Sequence, residues 1–504
     1  MSNTTRIVKN TLALYFRQIL IMLVSLYTVR VVLNVLGAED YGIYNVVAGV
    51  VVLFSFVNNA MATGVQRFLN FYLGKNDEEK TQEIYSVSLV IHGIICLVFI
   101  FLAETVGLWF VNAKLNVPLE RKTASFWCYQ AAVVTTLANI MRVPYNAVII
   151  AYEKMSFFAG LSIVESVLKL LVVFLLKISP LDKLVCYSFL LTAVSFVILF
   201  VYKIYCNKNF TIAHFRKNKD KGLGKELVSF SGWSLFGAVA NVANSQGTNI
   251  VLNIFTNVTV NAAMGIANQV NTAVYSFVSN FQTAFNPQLV KSYAAGERKE
   301  FSALIFRASK FSFLLLWMIV LPLSLNLETV LSVWLKNVPE YAVGFVQLIL
   351  IYSLVDAMNG PLWMAVQAIG KIKSYQIIVS ILIFLNLPVS IVAFILGANP
   401  YSILQIRIAL GIVITVFRIF YLKKNVNLSF LDFVKDVIIR CALVLFFSLI
   451  LVKILSSDFT GIAFFFISCT LSVIFCVIFS FVIALKKTER LIALNFIKQR
   501  VFKK

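Results

Sequence analysis

Long apolar stretches follow one another along this chain with only short polar links between them. A helix that crosses the apolar core of a bilayer needs ~20 mostly apolar residues, so the pattern predicts fourteen membrane spans. They lie near 11–35, 42–64, 84–110, 124–148, 156–178, 183–203, 227–253, 261–287, 303–326, 341–366, 374–396, 401–421, 437–455 and 460–485. These lengths indicate helices, because a membrane β-barrel shows ~10-residue segments of alternating character instead.

The composition agrees with a membrane protein. Of the 504 residues 60% are apolar and 13% are charged, whereas soluble proteins have ~45–50% and ~25%. This excludes a soluble enzyme, a secreted disulfide scaffold and a disordered tail. The net charge of +22 therefore does not point to nucleic acid, and the positions of Lys and Arg matter more than their number. The seven cysteines form no CxxC pair and are interpreted as small apolar residues.

The distribution of basic residues predicts the orientation. With the N-terminus in the cytoplasm, and with five basic residues near span ends counted in the adjoining segments, 29 of the 44 Lys and Arg are cytoplasmic, seven are external and eight lie inside spans. Such a bias predicts an even number of helices with both termini in the cytoplasm. The long basic links suggest an N-terminal lobe (1–204), a cytoplasmic linker (205–226), a C-terminal lobe (227–422), two further helices (423–486) and a basic amphipathic tail (487–504). We expect the tail to lie on anionic membrane lipids.

An internal repeat relates the two predicted lobes. The segments that match, at offsets of 219 to 223, are Val32-Leu33-Asn34 with Val251-Leu252-Asn253, Gly42-Ile43 with Gly265-Ile266, Ser55-Phe56-Val57 with Ser276-Phe277-Val278, and Tyr72 with Tyr293. Six predicted spans separate the copies, so both halves have the same orientation in the membrane. The predicted fold is an all-α polytopic membrane protein with about 14 transmembrane helices. They form two pseudo-symmetric six-helix lobes plus two C-terminal helices.

Several motifs resemble a known family. They are the opening VKNTL, the segment LGAEDYGIY at 36–44 and the turn GKND at 74–77. The chain resembles bacterial polysaccharide flippases of the Wzx type, in the superfamily of multidrug and toxin extrusion transporters and lipid II flippases. The resemblance implies two six-helix lobes in a V shape plus two additional helices. It also implies that an undecaprenyl-pyrophosphate-linked oligosaccharide is moved from the cytoplasmic to the periplasmic leaflet.

Basic residues outnumber acidic ones inside the predicted spans. A charge at the bilayer centre costs ~2.5–3.5 kcal/mol on insertion scales, so it usually faces a cavity or a partner. Arg307, Lys310 and Arg418 lie near cytoplasmic ends, from which long basic side chains can reach the interface. The remaining cations are candidate ligands for an anionic headgroup, and they are Arg17, Arg30, Arg142, Lys169 and Arg407.

Two carboxylates are candidates for ion coupling. Glu165 precedes Lys169 by four residues, which places both on one helix face. They form either a structural pair or a cavity charge whose partner is exchanged on binding. Asp356 precedes Asn359-Gly360-Pro361 in mid-span. It is either a proton carrier or one half of a salt bridge to a neighbouring helix.

The two polar spans at 227–253 and 261–287 offer groups for sugar hydroxyls. Amides can both donate and accept hydrogen bonds, as sugar hydroxyls require, and hydrogen bonds between helices are the alternative interpretation. The candidates are Asn241, Asn244, Asn268 and Gln269.

The sequence carries no cofactor motif, and its two histidines cannot build a metal site. The segment GLGK at 222–225 lacks the phosphate-loop pattern. The alternative function is a proton- or sodium-coupled multidrug antiporter. A polysaccharide polymerase or ligase would need a large external loop, and the predicted ones are short. The expected partners are the lipid-linked oligosaccharide, anionic lipids, a polysaccharide polymerase and glycosyltransferases, without nucleic acid.

Overall fold

The protein is helical throughout the part that the structure describes. The computed structural model describes residues 3–52, 55–109, 111, 118–216, 221–256, 258–335, 338–457, 461–486 and 489–490. Within these ranges no strand occurs, and ten helical stretches are long and apolar enough to cross a membrane. Each of the fourteen predicted spans is helical where the chain is described, except for single turn or bend residues at Asn326, Tyr341, Leu385, Leu396, Tyr401 and Leu485. The predicted all-α polytopic fold is confirmed.

The chain forms two compact units. The N-terminal unit is Ile7–Leu235, and the C-terminal unit is Phe236–Lys504 together with Met1–Arg6. The predicted limits of lobes and linker stay predictions, and the predicted tail falls almost entirely outside the described residues. The N-terminal unit contains α1 (Asn3–Val52) from Ile7 onwards, α2 (Ser55–Gly74), α3 (Glu78–Leu102), α4 (Lys122–Ala151), α5 (Met155–Ile178), α6 (Lys183–Asn209) and the start of α7 (Lys221–Phe255).

The first two predicted spans are joined by a bend rather than by a loop. Gly37 has φ 79° and ψ 167° inside the long helix α1. Only glycine adopts this backbone conformation without strain, which explains the glycine in the LGAEDYGIY segment. The second predicted span begins after the bend, in the last part of α1, and α2 then ends at Gly74.

Arg121 ties the bend of α1 to the starts of α4 and α6. Its Nε and Nη2 donate to the two carboxylate oxygens of Asp40 at 2.8 and 2.6 Å. Its Nη1 donates to Asp182, the N-cap of α6, at 2.5 Å. Partial burial on its own would raise the pKa of Asp182, but the hydrogen bond from Arg121 holds that pKa below its usual value. Asp40 of the LGAEDYGIY segment therefore forms a bidentate ion pair with Arg121.

We expect Arg121→Ala to lower the stability of the folded protein by about 1 kcal/mol at pH 7, since the network is partly exposed. The lowered pKa means that Asp182 contributes stability at neutral pH and loses it as the pH falls through that pKa. The measurement is thermal unfolding of the purified proteins at several pH values. The difference in stability between Arg121→Ala and the parent should decrease as the pH falls. Arg216→Ala is the matched control, because Arg216 pairs with the exposed Glu79. A difference that is independent of pH would contradict this account.

The C-terminal unit has its own helices. They are the rest of α7, α8 (Val258–Ala294), α9 (Arg298–Leu325), α10 (Leu327–Leu335), α11 (Ala342–Ile369), α12 (Lys373–Phe384), α13 (Asn386–Ile395), α14 (Ser402–Val426), α15 (Phe430–Phe433), α16 (Arg440–Ser456) and α17 (Gly461–Phe479). The last two are bound to α9 by buried hydrogen bonds. Trp317 Nε1 donates to Ser448 Oγ at 2.9 Å, and Asn326 Nδ2 donates to Ser468 Oγ at 2.8 Å.

The internal repeat is visible in the turn that follows α2 and α8. Asn76 and Gly296 occupy the left-handed backbone region, at φ 56° and 79°. In both turns the next residue donates its N–H five residues back, from Asp77 to the Tyr72 carbonyl and from Glu297 to Ser292. Such a turn ends a helix by satisfying its last carbonyls. The two copies therefore share local geometry as well as sequence.

Lys310 differs from the sequence-based expectation that its side chain reaches the interface. Only 2% of the side chain is exposed, and its Nζ donates to Glu489 at 2.6 Å and to the Ala484 carbonyl at 2.9 Å. Arg307 lies 3.8 Å from the other oxygen of Glu489. A buried lysine needs a partner of this kind because an unpaired charge is costly inside a protein.

Candidate functional site

A polar cavity of about 470 Å³ lies within the N-terminal unit, between α1, α4, α5 and α6. Many hydroxyls on its walls already donate to a carbonyl of their own helix, as Thr28 does to Val24 and Thr136 does to Ala132. Their oxygens keep free lone pairs, so the wall presents mainly acceptors to a ligand. Polar residues on the wall include Ser25, Thr28, Thr135, Thr136, Asn139 and Ser166.

A three-residue charge cluster lies at this cavity. Glu165 accepts from Arg142 Nη1 at 2.9 Å through one carboxylate oxygen and from Lys169 Nζ at 2.7 Å through the other. Glu165 and Lys169 line the cavity, and Arg142 reaches Glu165 from α4. The predicted pairing of Glu165 with Lys169 is present, and Arg142 is a second cation that sequence spacing did not place there.

The cluster leaves an excess of positive charge at the cavity wall. Two cations share one carboxylate, whose side chain is only 18% exposed, whereas that of Lys169 is 44% exposed. An unbalanced charge in a site of low dielectric exerts a stronger field than it would in water. The cavity is therefore suited to a ligand with an anionic part and several hydroxyl groups.

Arg17, another candidate cation of this unit, is not among the described residues that line the cavity. The Arg17 guanidinium lies 4.7 Å from the centre of the Phe158 ring, a cation–π geometry. Arg142 also lies over an aromatic ring, that of Tyr202, at 5.8 Å. The side chain of Arg30 lies outside the described residues.

The C-terminal unit holds a buried polar network around Asp356. Electrostatic interactions link Asp356 to Tyr275 of α8 and to Arg418 of α14. Arg418 Nε donates to the Tyr375 hydroxyl at 2.6 Å, and its Nη1 donates to the Asn359 carbonyl at 3.3 Å. Arg418 therefore points into the unit instead of reaching the interface. The nearby Arg418 favours the interpretation of Asp356 as a partner of a basic residue over its interpretation as a proton carrier.

The remaining candidate residues of this unit do not form one site. Arg407 lies over the Tyr352 ring at 4.2 Å, and its Nε has no hydrogen-bond partner among the described residues. Asn244 is buried and accepts from Asn386, whereas Asn241 is exposed and donates to the Gly237 carbonyl. Gln269 is exposed and Asn268 is partly buried. Asn244 thus makes the helix–helix contact that was the alternative to sugar binding.

The sequence-based selection of charged residues included Arg142 of α4 but missed the uncharged residues of the same helix that line the cavity. Cys128, Ala132, Thr135, Asn139 and Arg142 recur every three or four residues, and this spacing places them on one helix face. A stripe of small and polar residues on an otherwise apolar helix is the signal that could have located the wall.

Comparison with known proteins supports this fold. The profile of the polysaccharide biosynthesis protein family matches residues 7–292, more than half of the chain. No curated protein matches significantly. Among solved structures, an outward-facing multidrug resistance MATE family transporter of the MOP superfamily is similar, with 10% identity and a TM-score of 0.73 over 84% of this chain and 95% of that one.

Two further structures are similar at low identity. A MATE protein in the straight conformation has 11% identity and a TM-score of 0.71, over 84% of this chain and 96% of that one. A MOP superfamily transporter from Pyrococcus furiosus, whose binding pocket is described as having reverse polarity, has 11% identity and a TM-score of 0.69, over 83% and 96%. The chain thus has the same fold as these transporters. The chain belongs to the polysaccharide biosynthesis protein family.

Proposed function

We propose that this protein is a flippase for undecaprenyl-pyrophosphate-linked oligosaccharide repeat units. It moves them from the cytoplasmic to the periplasmic leaflet by alternating access between its two lobes, as part of O-antigen or lipopolysaccharide synthesis. The observation that carries the proposal is the cavity with excess positive charge, formed by Lys169 and Arg142 against Glu165. The family match supports the same function.

The chemistry of the cavity suits a phosphorylated glycan. Lys169 acts as a compact point charge that can attract a phosphate oxygen, because its exposed ammonium keeps donors free for a ligand. The acceptors on α1 and α4 can receive hydrogen bonds from sugar hydroxyls, and Asn139 both donates and accepts. Glu165 in the cavity wall offsets part of the positive charge. The bound anion can therefore be released after transport.

Loss of the exposed cation should weaken transport. We expect Lys169→Ala to reduce glycan export because a charge-assisted hydrogen bond contributes ~1.5–3 kcal/mol, equivalent to about ten- to a hundredfold in binding. The measurement is complementation of a flippase-null strain at matched membrane levels. Lys177→Ala is the control, since Lys177 lies two turns later on α5 and is not on the cavity wall. Full export by Lys169→Ala and by Lys169→Ala/Arg142→Gln would refute the anion-binding role of the cavity.

A cation-coupled drug antiporter is the second candidate. Asp356 with Tyr275 supplies a carboxylate of the kind that such a transporter would protonate, and one similar structure is a multidrug resistance transporter. Expression of the protein in the same flippase-null strain separates the two candidates. A flippase would restore glycan export and leave drug susceptibility unaltered, whereas an antiporter would lower drug susceptibility and leave glycan export unrestored.

The proposed function also implies a cellular location and a set of partners. A flippase of this kind would lie in the bacterial inner membrane. The bias of Lys and Arg towards one side of the predicted spans supports a cytoplasmic location of both termini. The proposed partners are the lipid-linked oligosaccharide, anionic lipids at the basic tail, and the polymerase and glycosyltransferases that act after and before transport.

A further inference from the structure

A line of contacts between polar residues runs along α7 and the pair α12–α13 in the C-terminal unit. A Cβ added to Gly237 would overlap the Gln376 carboxamide, so this side chain lies directly on the α7 backbone. Further along, Asn386 Nδ2 donates to Asn244 Oδ1 at 3.1 Å. Residue numbers rise together on both sides, so the helices run parallel and share one extended interface.

Helical spacing places three hydroxyls at the same interface. Thr248 follows Asn244 by four residues, as Ser380 follows Gln376 and Ser390 follows Asn386, and residues four apart share a helix face. We call this set the polar seam, and its members are Asn244, Thr248, Gln376, Ser380, Asn386 and Ser390. From Gln376 to Ser390 it extends for ~21 Å, at 1.5 Å per residue, out of an apolar core of ~30 Å.

Five atoms of the polar seam have no hydrogen-bond partner among the described residues, although each residue is more than nine-tenths buried. They are Thr248 Oγ1, Gln376 Oε1, Ser380 Oγ, Asn386 Oδ1 and Ser390 Oγ. Buried polar atoms are nearly always paired with protein or with ordered water, and leaving one unpaired is costly. A run of five along one interface needs a common explanation.

The hydroxyls of the seam differ from other buried hydroxyls in the same unit. Ser448, Ser456 and Ser472 each donate to the carbonyl four residues before them, which is the usual partner in a membrane helix. Thr248 and Ser390 make no such bond. Burial alone therefore does not leave a hydroxyl unpaired in this unit. Ser402 also has an unpaired Oγ, but the seam brings three such hydroxyls together along one interface.

A proline adds a further acceptor. Pro388 has no N–H to donate to the carbonyl of Phe384, and the break between α12 and α13 lies between these residues. Proline is tolerated in membrane helices when neighbouring side chains or ordered waters satisfy the carbonyl it frees. Asn386 and Ser390 lie on either side of Pro388 at this break.

We propose that the polar seam binds a chain of ordered water molecules. A buried water makes about three hydrogen bonds, and the seam supplies hydroxyls and amide oxygens on both walls at successive helical turns. Water is both donor and acceptor, so it satisfies these oxygens together with the freed carbonyl. The ligand is neutral because the seam contains no charged residue.

The test is replacement of seam hydroxyls by apolar groups of the same shape, in Thr248→Val/Ser380→Ala/Ser390→Ala. In a hydrated seam the variant removes partners from bound water, and we expect the melting temperature of the purified protein to fall by about 2 °C. In a dry seam the variant would remove unpaired polar atoms and the melting temperature would rise. A density map at a resolution that shows ordered water should contain water along the parent seam and less in the variant.

The matched control is Ser456→Ala/Ser472→Ala. Both hydroxyls are buried but satisfied by their own helix, so their loss should leave the melting temperature nearly unchanged. The proposal is overturned if the seam variant melts at or above the temperature of the parent, or if the parent map shows no water between α7 and α12–α13. Neither result depends on the transported substrate.

Discussion

Glu165→Gln should lower the amount of folded protein in the membrane, whereas Lys169→Met should leave it nearly unchanged. Glu165 is the only carboxylate of its cluster, and it accepts from both Arg142 and Lys169. The amide leaves two cations without a counter-charge, whereas removal of Lys169 leaves Arg142 and Glu165 as a neutral pair. Removing one partner of a buried ion pair costs ~3–5 kcal/mol, and the partial exposure of these side chains reduces this to about 1–3 kcal/mol.

Export should show the opposite order, with Lys169→Met impaired at a normal protein level. The measurement compares membrane abundance, thermal unfolding and glycan export for both variants in one strain. Arg142→Gln/Glu165→Gln, which removes a cation together with the acid, should recover part of the stability lost in Glu165→Gln. Normal abundance of Glu165→Gln with abolished transport would contradict the structural role and favour the prediction that Glu165 couples ions.

Much of the fold could be predicted because the membrane imposes simple rules. Backbone groups must be paired inside the bilayer, so each apolar run of sufficient length is a helix. The predicted span at 124–148 lies inside α4, and the one at 303–326 ends one residue after α9. The bend at Gly37 was not predicted, because an apolar pattern does not reveal whether two helices meet at a bend or at a loop.

The candidate site could be predicted only in part. The pairing of Glu165 with Lys169 follows from their spacing on one helix, but Arg142 lies 23 positions away. Contacts between distant residues depend on how helices are rotated, and hydrophobicity fixes this only weakly when lipid surrounds the protein. For the same reason, the sequence suggested that Lys310 and Arg418 reach the interface, whereas both point inwards to partners.

Gln282 replaces a backbone hydrogen bond of α11 that is missing because of Pro361. Pro361 cannot donate to the carbonyl of Ala357 four residues earlier. Gln282 Nε2, from α8, donates to that carbonyl at 3.2 Å and to Ser312 Oγ at 3.3 Å. Gly360 leaves room for this approach, since a Cβ there would overlap the Gln282 carboxamide. The glycine and the proline after Asp356 therefore act together with a glutamine of another helix.

Gly360→Ala should consequently destabilise the protein by about 2–5 kcal/mol, although alanine favours a helix. The new methyl group displaces the Gln282 amide and leaves the Ala357 carbonyl and Ser312 without their partner. The control is Gly265→Ala on α8, where a Cβ would meet no atom within 4 Å and where alanine should add up to ~1 kcal/mol of stability. In thermal unfolding, Gly360→Ala/Gln282→Ala should be less destabilised than the two single variants added together, because truncation of Gln282 removes the overlap. Strict additivity, or a Gly360→Ala protein as stable as its parent, would show that Gln282 does not hold this position.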